Sequence, residues 1–138
     1  MKRIILTLVP LMFLTALALS ACSGDSLAGT SWTLVSYGDP SNLTAAVSGV
    51  DTSLVFGSDG QVSGNMGCNG FGGDYQIKNG QIVFGNIIST MMACEEPRMS
   101  QETATFGLMS GAVDYSSNGN TLTLTSADGS RVMNLTKK

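Results

Sequence analysis

Apolar and polar residues alternate, or nearly alternate, in short stretches along most of the chain. A period of two is typical of a β-strand with one buried face and one face in water. The pattern predicts strands at Ser31–Tyr37, Thr52–Phe56, Gln61–Gly64, Asp74–Lys78, Gln81–Phe84, Val113–Ser116, Thr121–Thr125 and Arg131–Thr136.

Asn-Gly and Asp-Gly dipeptides lie between or beside these stretches. Such pairs supply the positive φ angles that tight hairpin turns require, and turns this frequent leave little room for parallel crossovers. We therefore expect a mainly β fold, a small antiparallel barrel or sandwich with turns. The dipeptides are Asp59-Gly60, Asn69-Gly70, Asn79-Gly80, Asn118-Gly119 and Asp128-Gly129.

One segment, Pro97–Ala112, has a helical period instead. Its apolar residues Met99, Phe106 and Met109, followed by Val113, are spaced by 7, 3 and 4 positions, which is typical of one helical face. Pro97 suits the first turn, where its missing N–H is no loss. We expect one helix that packs this apolar stripe on the sheet.

The N-terminus has the pattern of a targeting segment. Lys2 and Arg3 precede the apolar run Ile4–Leu19, which is shorter than the roughly 20 residues of a spanning helix. The run ends in Leu19-Ser20-Ala21-Cys22, which resembles the lipobox of bacterial lipoproteins. That resemblance implies removal of residues 1–21 and acylation of Cys22 with fatty acids such as palmitate. The alternative is an ordinary cleaved signal peptide followed by an unmodified cysteine.

This interpretation divides the chain into a signal peptide (1–21), a lipidated tether (22–26) and one folded domain (27–138). It predicts a bacterial cell-envelope protein outside the cytoplasm that contacts the membrane through Cys22. The sequence carries no signal for an oligomeric state.

Charge and composition exclude several functions. The chain has 7 Lys plus Arg, 10 Asp plus Glu and no histidine. Removal of residues 1–21 takes two basic and no acidic residues, so five basic and ten acidic residues remain, a net charge of −5. An acidic domain lacks the cations that neutralise phosphates, so no nucleic-acid partner is expected. Without histidine, the usual general base is also missing.

With Cys22 assigned to the lipid, Cys68 and Cys94 remain. In an oxidising compartment the expected state of such a pair is a disulfide, with two free thiols as the alternative. A zinc site is disfavoured because two thiolates without histidine cannot fill four positions. We expect no metal and no cofactor.

Two stretches resemble the signatures of the META domain family, typified by the heat-shock protein HslJ. Gly64–Tyr75 reads GNMGCNGFGGDY, and Ser89–Cys94 reads STMMAC. The resemblance covers about residues 27–136. Met91 and Gly70 stand where the family often has an arginine. The resemblance implies a lipocalin-like antiparallel β-barrel with one packed helix, and an envelope protein linked to stress tolerance with no agreed catalytic residues.

Few side chains qualify as catalytic candidates. Glu95 and Glu96 are adjacent and interpreted as solvated. Glu102 is interpreted as a partly buried carboxylate that accepts hydrogen bonds from backbone near Cys94, with an acid catalyst as the alternative. The glycine-rich Gly67–Gly73 lacks the lysine of a phosphate-binding loop and is interpreted as a bend beside the disulfide. We therefore assign no catalytic residue.

Methionines and aromatic residues are the other candidates for binding. The aromatic side chains of Trp32, Phe71 and Tyr75 are expected to fill the barrel rather than to line a ligand cavity. Four methionines could offer thioethers to Cu(I), but flexible filling of the core is the preferred interpretation. These methionines are Met66, Met91, Met92 and Met99.

The sequence thus predicts a non-enzymatic, lipid-anchored envelope protein that binds a protein or peptide partner or supports stress tolerance. The alternative is a carrier that holds a small apolar ligand inside the barrel. An interior cavity of about 300 Å³ or more would favour the carrier.

Overall fold

The computed structural model describes residues 26–138. The predicted signal peptide, the acylation site Cys22 and all but the last residue of the tether lie outside this range. Nine strands and one helix form the described part of the chain. They are β1 (Thr30–Asp39), β2 (Asn42–Ala45), β3 (Ser53–Phe56), β4 (Gln61–Asn65), β5 (Gly70–Lys78), β6 (Gln81–Ser89), α1 (Arg98–Leu108), β7 (Ala112–Ser117), β8 (Thr121–Ser126) and β9 (Val132–Lys137).

Eight of these strands close into an antiparallel barrel. Each strand from β3 to β9 pairs with the next, and β1 pairs with both β3 and β9. Strand β1 also pairs with a third strand. Its first residues pair with β3, and Ser36–Asp39 pair with β2. The prediction of a small antiparallel barrel with one helix is confirmed.

All eight predicted strands overlap observed ones, but one observed strand is not predicted, β5 begins four residues earlier than predicted and β6 ends five residues later. Strand β2 is missing from the prediction, and all four of its residues are exposed, so it has no buried face. The interpretation of Gly67–Gly73 as a bend is wrong for Gly70–Gly73, which begins β5. At Gly73 a side chain would lie 2.9 Å from the Gly85 carbonyl oxygen, so close approach of β6 at an irregular register requires glycine here.

Four of the five predicted turns have a glycine with positive φ, at Gly60, Gly80, Gly119 and Gly129. The prediction for Asn69-Gly70 is wrong. Gly70 there belongs to β5, and the Asn69 side chain is buried in a hydrogen-bond network described below.

The barrel interior is filled by side chains. Trp32, Phe71 and Tyr75 are buried, as expected, and the Tyr75 ring meets Phe56 edge-on at 4.9 Å between ring centroids. Buried polar groups are paired: the Trp32 indole donates to the Thr30 hydroxyl at 2.7 Å. The largest fully buried apolar side chains are those of Trp32, Leu54, Phe56, Val62, Met66, Ile82, Met109, Leu122, Leu124, Met133 and Leu135.

Helix α1 lies at one end of the barrel, against β1 and β9. The predicted apolar stripe is the buried face only in part. Met109 and Val113 are buried, but Val113 belongs to β7, and Met99 and Phe106 are only partly buried. The helix instead buries Gln101, Glu102, Thr105 and Leu108. A largely polar face suits this position because the helix covers backbone groups of the barrel end that need hydrogen-bond partners.

The start of α1 also differs from the prediction. Pro97 immediately precedes the helix rather than lying in its first turn. Glu96, just before it, accepts a hydrogen bond from the Ser100 amide at 3.1 Å. A carboxylate at this position is stabilised by the positive end of the helix dipole. Within residues 26–138, no helix is long and apolar enough to cross a membrane.

The turn between β8 and β9 generates a prediction about pH. Hydrogen bonds from the Ser126 hydroxyl, and from the amide and hydroxyl of Ser130, lower the pKa of Asp128 from 3.8 to about 2. Because the pKa falls on folding, the stabilisation is present above pH 3.8 and is lost as the pH falls through about 2.

We expect Ser126→Ala to raise the pKa of Asp128 toward its ordinary value, since one stabilising donor is removed. An NMR titration of the Asp128 carboxyl carbon measures this. Ser117→Ala, at the end of β7, should leave the midpoint unchanged. A midpoint near 3.8 in the unsubstituted protein would contradict the prediction.

Candidate functional site

The two sequence signatures meet beneath helix α1. A disulfide between Cys68 and Cys94 joins the β4–β5 connection to the segment that precedes the helix, with the two Cα atoms 6.0 Å apart. This separation is ordinary for a disulfide. The predicted pairing is therefore confirmed, and it places the glycine-rich signature next to the chain that leaves β6.

The Glu102 carboxylate lies at the centre of this region. Its Oε2 atom accepts the backbone N–H groups of Cys68 at 3.0 Å and of Asn69 at 2.5 Å. Its Oε1 atom accepts the Asn69 side-chain amide at 2.6 Å. Glu102 is buried, so the interpretation of a carboxylate bonded to backbone near the disulfide is confirmed.

The Asn69 side chain also forms hydrogen bonds with the second signature. Its Oδ1 atom accepts the Thr90 hydroxyl at 2.8 Å and the Met92 amide at 2.7 Å. Its Nδ2 atom also donates to the Met92 carbonyl at 3.2 Å. One asparagine side chain thus ties the helix, through Glu102, to residues 90–92. An asparagine suits this position because it offers both donors and an acceptor.

Gln101 and Arg98 complete the contacts of the helix with the barrel end. The Gln101 side chain donates to the Met66 carbonyl at 2.6 Å and accepts the Val47 amide at 2.7 Å. The Arg98 Nε–H donates to the Gly67 carbonyl at 2.8 Å. A side chain at position 67 would lie 2.7 Å from the Arg98 carbonyl oxygen, so this glycine permits the helix to approach.

Sequence reasoning missed these roles of Asn69, Gln101 and Arg98. The available signal was the position of Asn69 and Gln101 inside or beside the two signatures. Polar residues on the predicted inner face of a helix were a second signal, because a buried polar group requires a partner.

The chemistry available to this cluster is limited by its hydrogen bonds. Both Glu102 oxygens face donors of the protein itself. Glu95 is exposed, and the Glu96 carboxylate is engaged by Ser100. Within residues 26–138 there is no group of three or more histidine, cysteine, aspartate or glutamate side chains suited to a metal. The cluster holds chain segments together.

The methionines divide into two groups. Met66 is buried, as the core-filling interpretation requires, and Met99 is partly buried. For Met91 and Met92 that interpretation is wrong, because these side chains are 96% and 57% exposed. Asn69 holds this segment by its backbone, which leaves both side chains outside the barrel.

The profile of the META domain matches residues 25–138, which include both signatures and the network that joins them. The chain belongs to the META domain family. No curated protein matches the sequence.

Solved structures show the same fold as this META domain. An NMR structure of a protein from Burkholderia xenovorans is similar with a TM-score of 0.69 at 25% identity, covering 81% of this chain and 83% of that one. A crystal structure of a DUF4847 family protein from Bacteroides vulgatus has a TM-score of 0.61 at 14% identity, covering 80% and 93% respectively.

The geometry of Glu102 leads to a prediction about stability. Glu102→Gln replaces one acceptor oxygen by an NH₂ group, which would face N–H donors. We expect the free energy of unfolding to fall by about 1 to 3 kcal/mol, the usual cost of a buried group left without its partner. Unfolding in urea measures it.

Glu95→Gln is the matched control for this change, because Glu95 is exposed in the same region. It should alter stability by less than about 0.5 kcal/mol. Equal stability of the two variants would show that the carboxylate does not hold the helix.

Proposed function

We propose that this META domain protein is a lipid-anchored component of a bacterial envelope that binds a protein or peptide partner without a chemical step. The observation that carries the proposal is the position of Leu19-Ser20-Ala21-Cys22, which ends just before the folded domain. A role in tolerance of envelope stress is part of the same proposal.

The position of the chain ends within the barrel supports an orientation. Strand β1 starts at Thr30, at the barrel end opposite to α1, since the helix lies where β1 ends and β9 begins. The five residues 22–26 span at most about 17 Å when extended. An acylated Cys22 would therefore hold this end near the bilayer and direct the helix end outward.

Exposed apolar side chains on β1 and β2 support a partner surface near that outward end. Val35 is 49% exposed and Leu43 is 45% exposed. Leu43 lies opposite Gly38 in the β1–β2 pair. On this proposal the partner meets turns and sheet, because the helix packs on the barrel.

The filled interior supports partner binding over the carrier alternative. The cavity between α1 and the barrel, beside Tyr37, Leu108 and Met133, measures only about 30 Å³, and the larger clefts, such as the one of about 740 Å³ beside Met99 and Arg131, are more open to solvent. Ligand pockets for small molecules occupy about 300 Å³ or more. Glu102 supports the absence of a chemical step, because both of its oxygens already accept hydrogen bonds from the domain.

The anchor is tested by mass spectrometry of the protein isolated from its host membrane. We expect the N-terminal peptide to begin at Cys22 and to carry a diacylglyceryl group, because the lipobox motif directs both steps. Cys22→Ala should abolish the adduct, and Ser23→Ala should retain it. An unmodified Cys22, or a different N-terminal residue, would refute the anchor.

The partner surface is tested by crosslinking and recovery from intact envelopes. We expect Val35→Ser with Leu43→Ser to reduce the recovered partner at least about tenfold, which corresponds to roughly 1.4 kcal/mol of binding free energy. Ile77→Ser is the control, since Ile77 is similarly exposed (46%) but lies on β5, near its end at the opposite side of the barrel. Equal recovery of the partner by the unsubstituted protein, the double variant and the Ile77→Ser control would contradict the proposal for this surface.

A further inference from the structure

Three methionine side chains line one surface cleft. Met91 and Met92 come from the segment after β6, and Met99 comes from the first turn of α1. The cleft measures about 320 Å³, and Asn69, Thr90 and Ala93 form the rest of its lining. Residues from two separate segments thus border the same cleft.

Exposure of Met91 and Met92 forgoes the stabilisation that burial would provide. Burial of a methionine side chain stabilises a fold because its apolar surface leaves water. Met66, Met109 and Met133 are fully buried in the same domain, so the fold does accommodate methionine in its core. The exposed pair therefore contributes little to the core, and its thioether groups are accessible to a ligand.

The segment that carries the pair is held in place. Asn69 accepts the Met92 amide at 2.7 Å and donates to the Met92 carbonyl at 3.2 Å. Two residues later, Cys94 is bonded to Cys68. The helix that carries Met99 is fixed to the same connection through Glu102. The backbones on both sides of the cleft are thus preorganised, and only flexible side chains need to adjust.

The donor set has a clear chemical preference. Thioether sulfur is a soft, neutral ligand that favours Cu(I) and, by the same softness, Ag(I) over harder divalent ions. Glu95 and Glu96 follow the segment closely and are exposed, which favours a cation in Coulomb terms. The positive charge of Arg98, which follows them in the sequence, is held at the Gly67 carbonyl, to which the guanidinium donates.

We propose that Met91, Met92 and Met99 form a binding site for a soft monovalent cation, Cu(I) or Ag(I). The site differs from the sequence-based expectation, which assigned no metal and placed these methionines in the core. It stands independently of the lipid anchor and of the protein partner, because it rests on the cleft alone.

The test uses the full-length chain with Cys22→Ser in detergent, so that no Cys22 thiol competes for the metal while Cys68 and Cys94 stay bonded. Methionine methyl groups labelled with ¹³C are followed by NMR during titration with Ag(I). We expect saturation at one Ag(I) per chain, with shifts at Met91, Met92 and Met99. The methyl signals of Met109 and Met133 should not move. Zn²⁺ should cause no shift.

Single Met→Leu variants at the three positions keep the apolar side chain and remove the sulfur. Each should weaken binding by at least about 10- to 100-fold, the range already seen when only an outer-shell partner of a metal is lost. Met109→Leu is the matched control and should bind as the unsubstituted chain does. The proposal is overturned if Ag(I) leaves the three methyl signals in place, or if the triple Leu variant retains the affinity.

Discussion

The buried carboxylate of Glu102 is the contact on which the arrangement of this end of the barrel depends. It accepts the backbone amides of Cys68 and Asn69 and the Asn69 side chain. Helix α1 packs Leu108, the partly buried Phe106 and, just after its end, Met109 against the core. Apolar burial has no direction, whereas hydrogen bonds to a charged carboxylate fix the position of the helix.

The disulfide and the hydrogen bonds of Asn69 reinforce that contact. The disulfide links the same two segments that Asn69 joins, so a covalent bond and a side-chain network fix one geometry. The glycine at position 67 is needed because the helix backbone comes so close. The two sequence signatures thus lie where the helix packs on the barrel end.

The fixed backbone at this end of the barrel affects how the exposed methionines are presented. A segment clamped by its backbone can present side chains outward without local disorder, and Met91 and Met92 occupy that position. The proposed anchor would hold the opposite end of the barrel, so the cleft and the β1–β2 face would both be directed away from the membrane. The two proposals use different surfaces and can be tested apart.

The sequence by itself determined the features that depend on neighbouring residues. Alternation predicted all eight barrel strands, and four Asn-Gly or Asp-Gly turns followed from local φ preference. Cysteine count and compartment predicted the Cys68–Cys94 bond. Burial of Glu102 against backbone was also predicted, from its place beside the apolar stripe and the Cys94 segment.

Tertiary structure decided the features whose partners lie far along the chain. The side chains that α1 turns toward the barrel bond to backbone groups 30 or more residues away in the sequence. The spacing of apolar residues along the helix contains no information about these groups. Strand β2 exists because the free edge of β1 accepts it, although its own residues are exposed. Met91 and Met92 are exposed in a segment whose backbone Asn69 holds at Met92. The local sequence pattern indicates which face of a strand or helix its residues prefer to bury. Long-range hydrogen bonds determine which face the fold can bury.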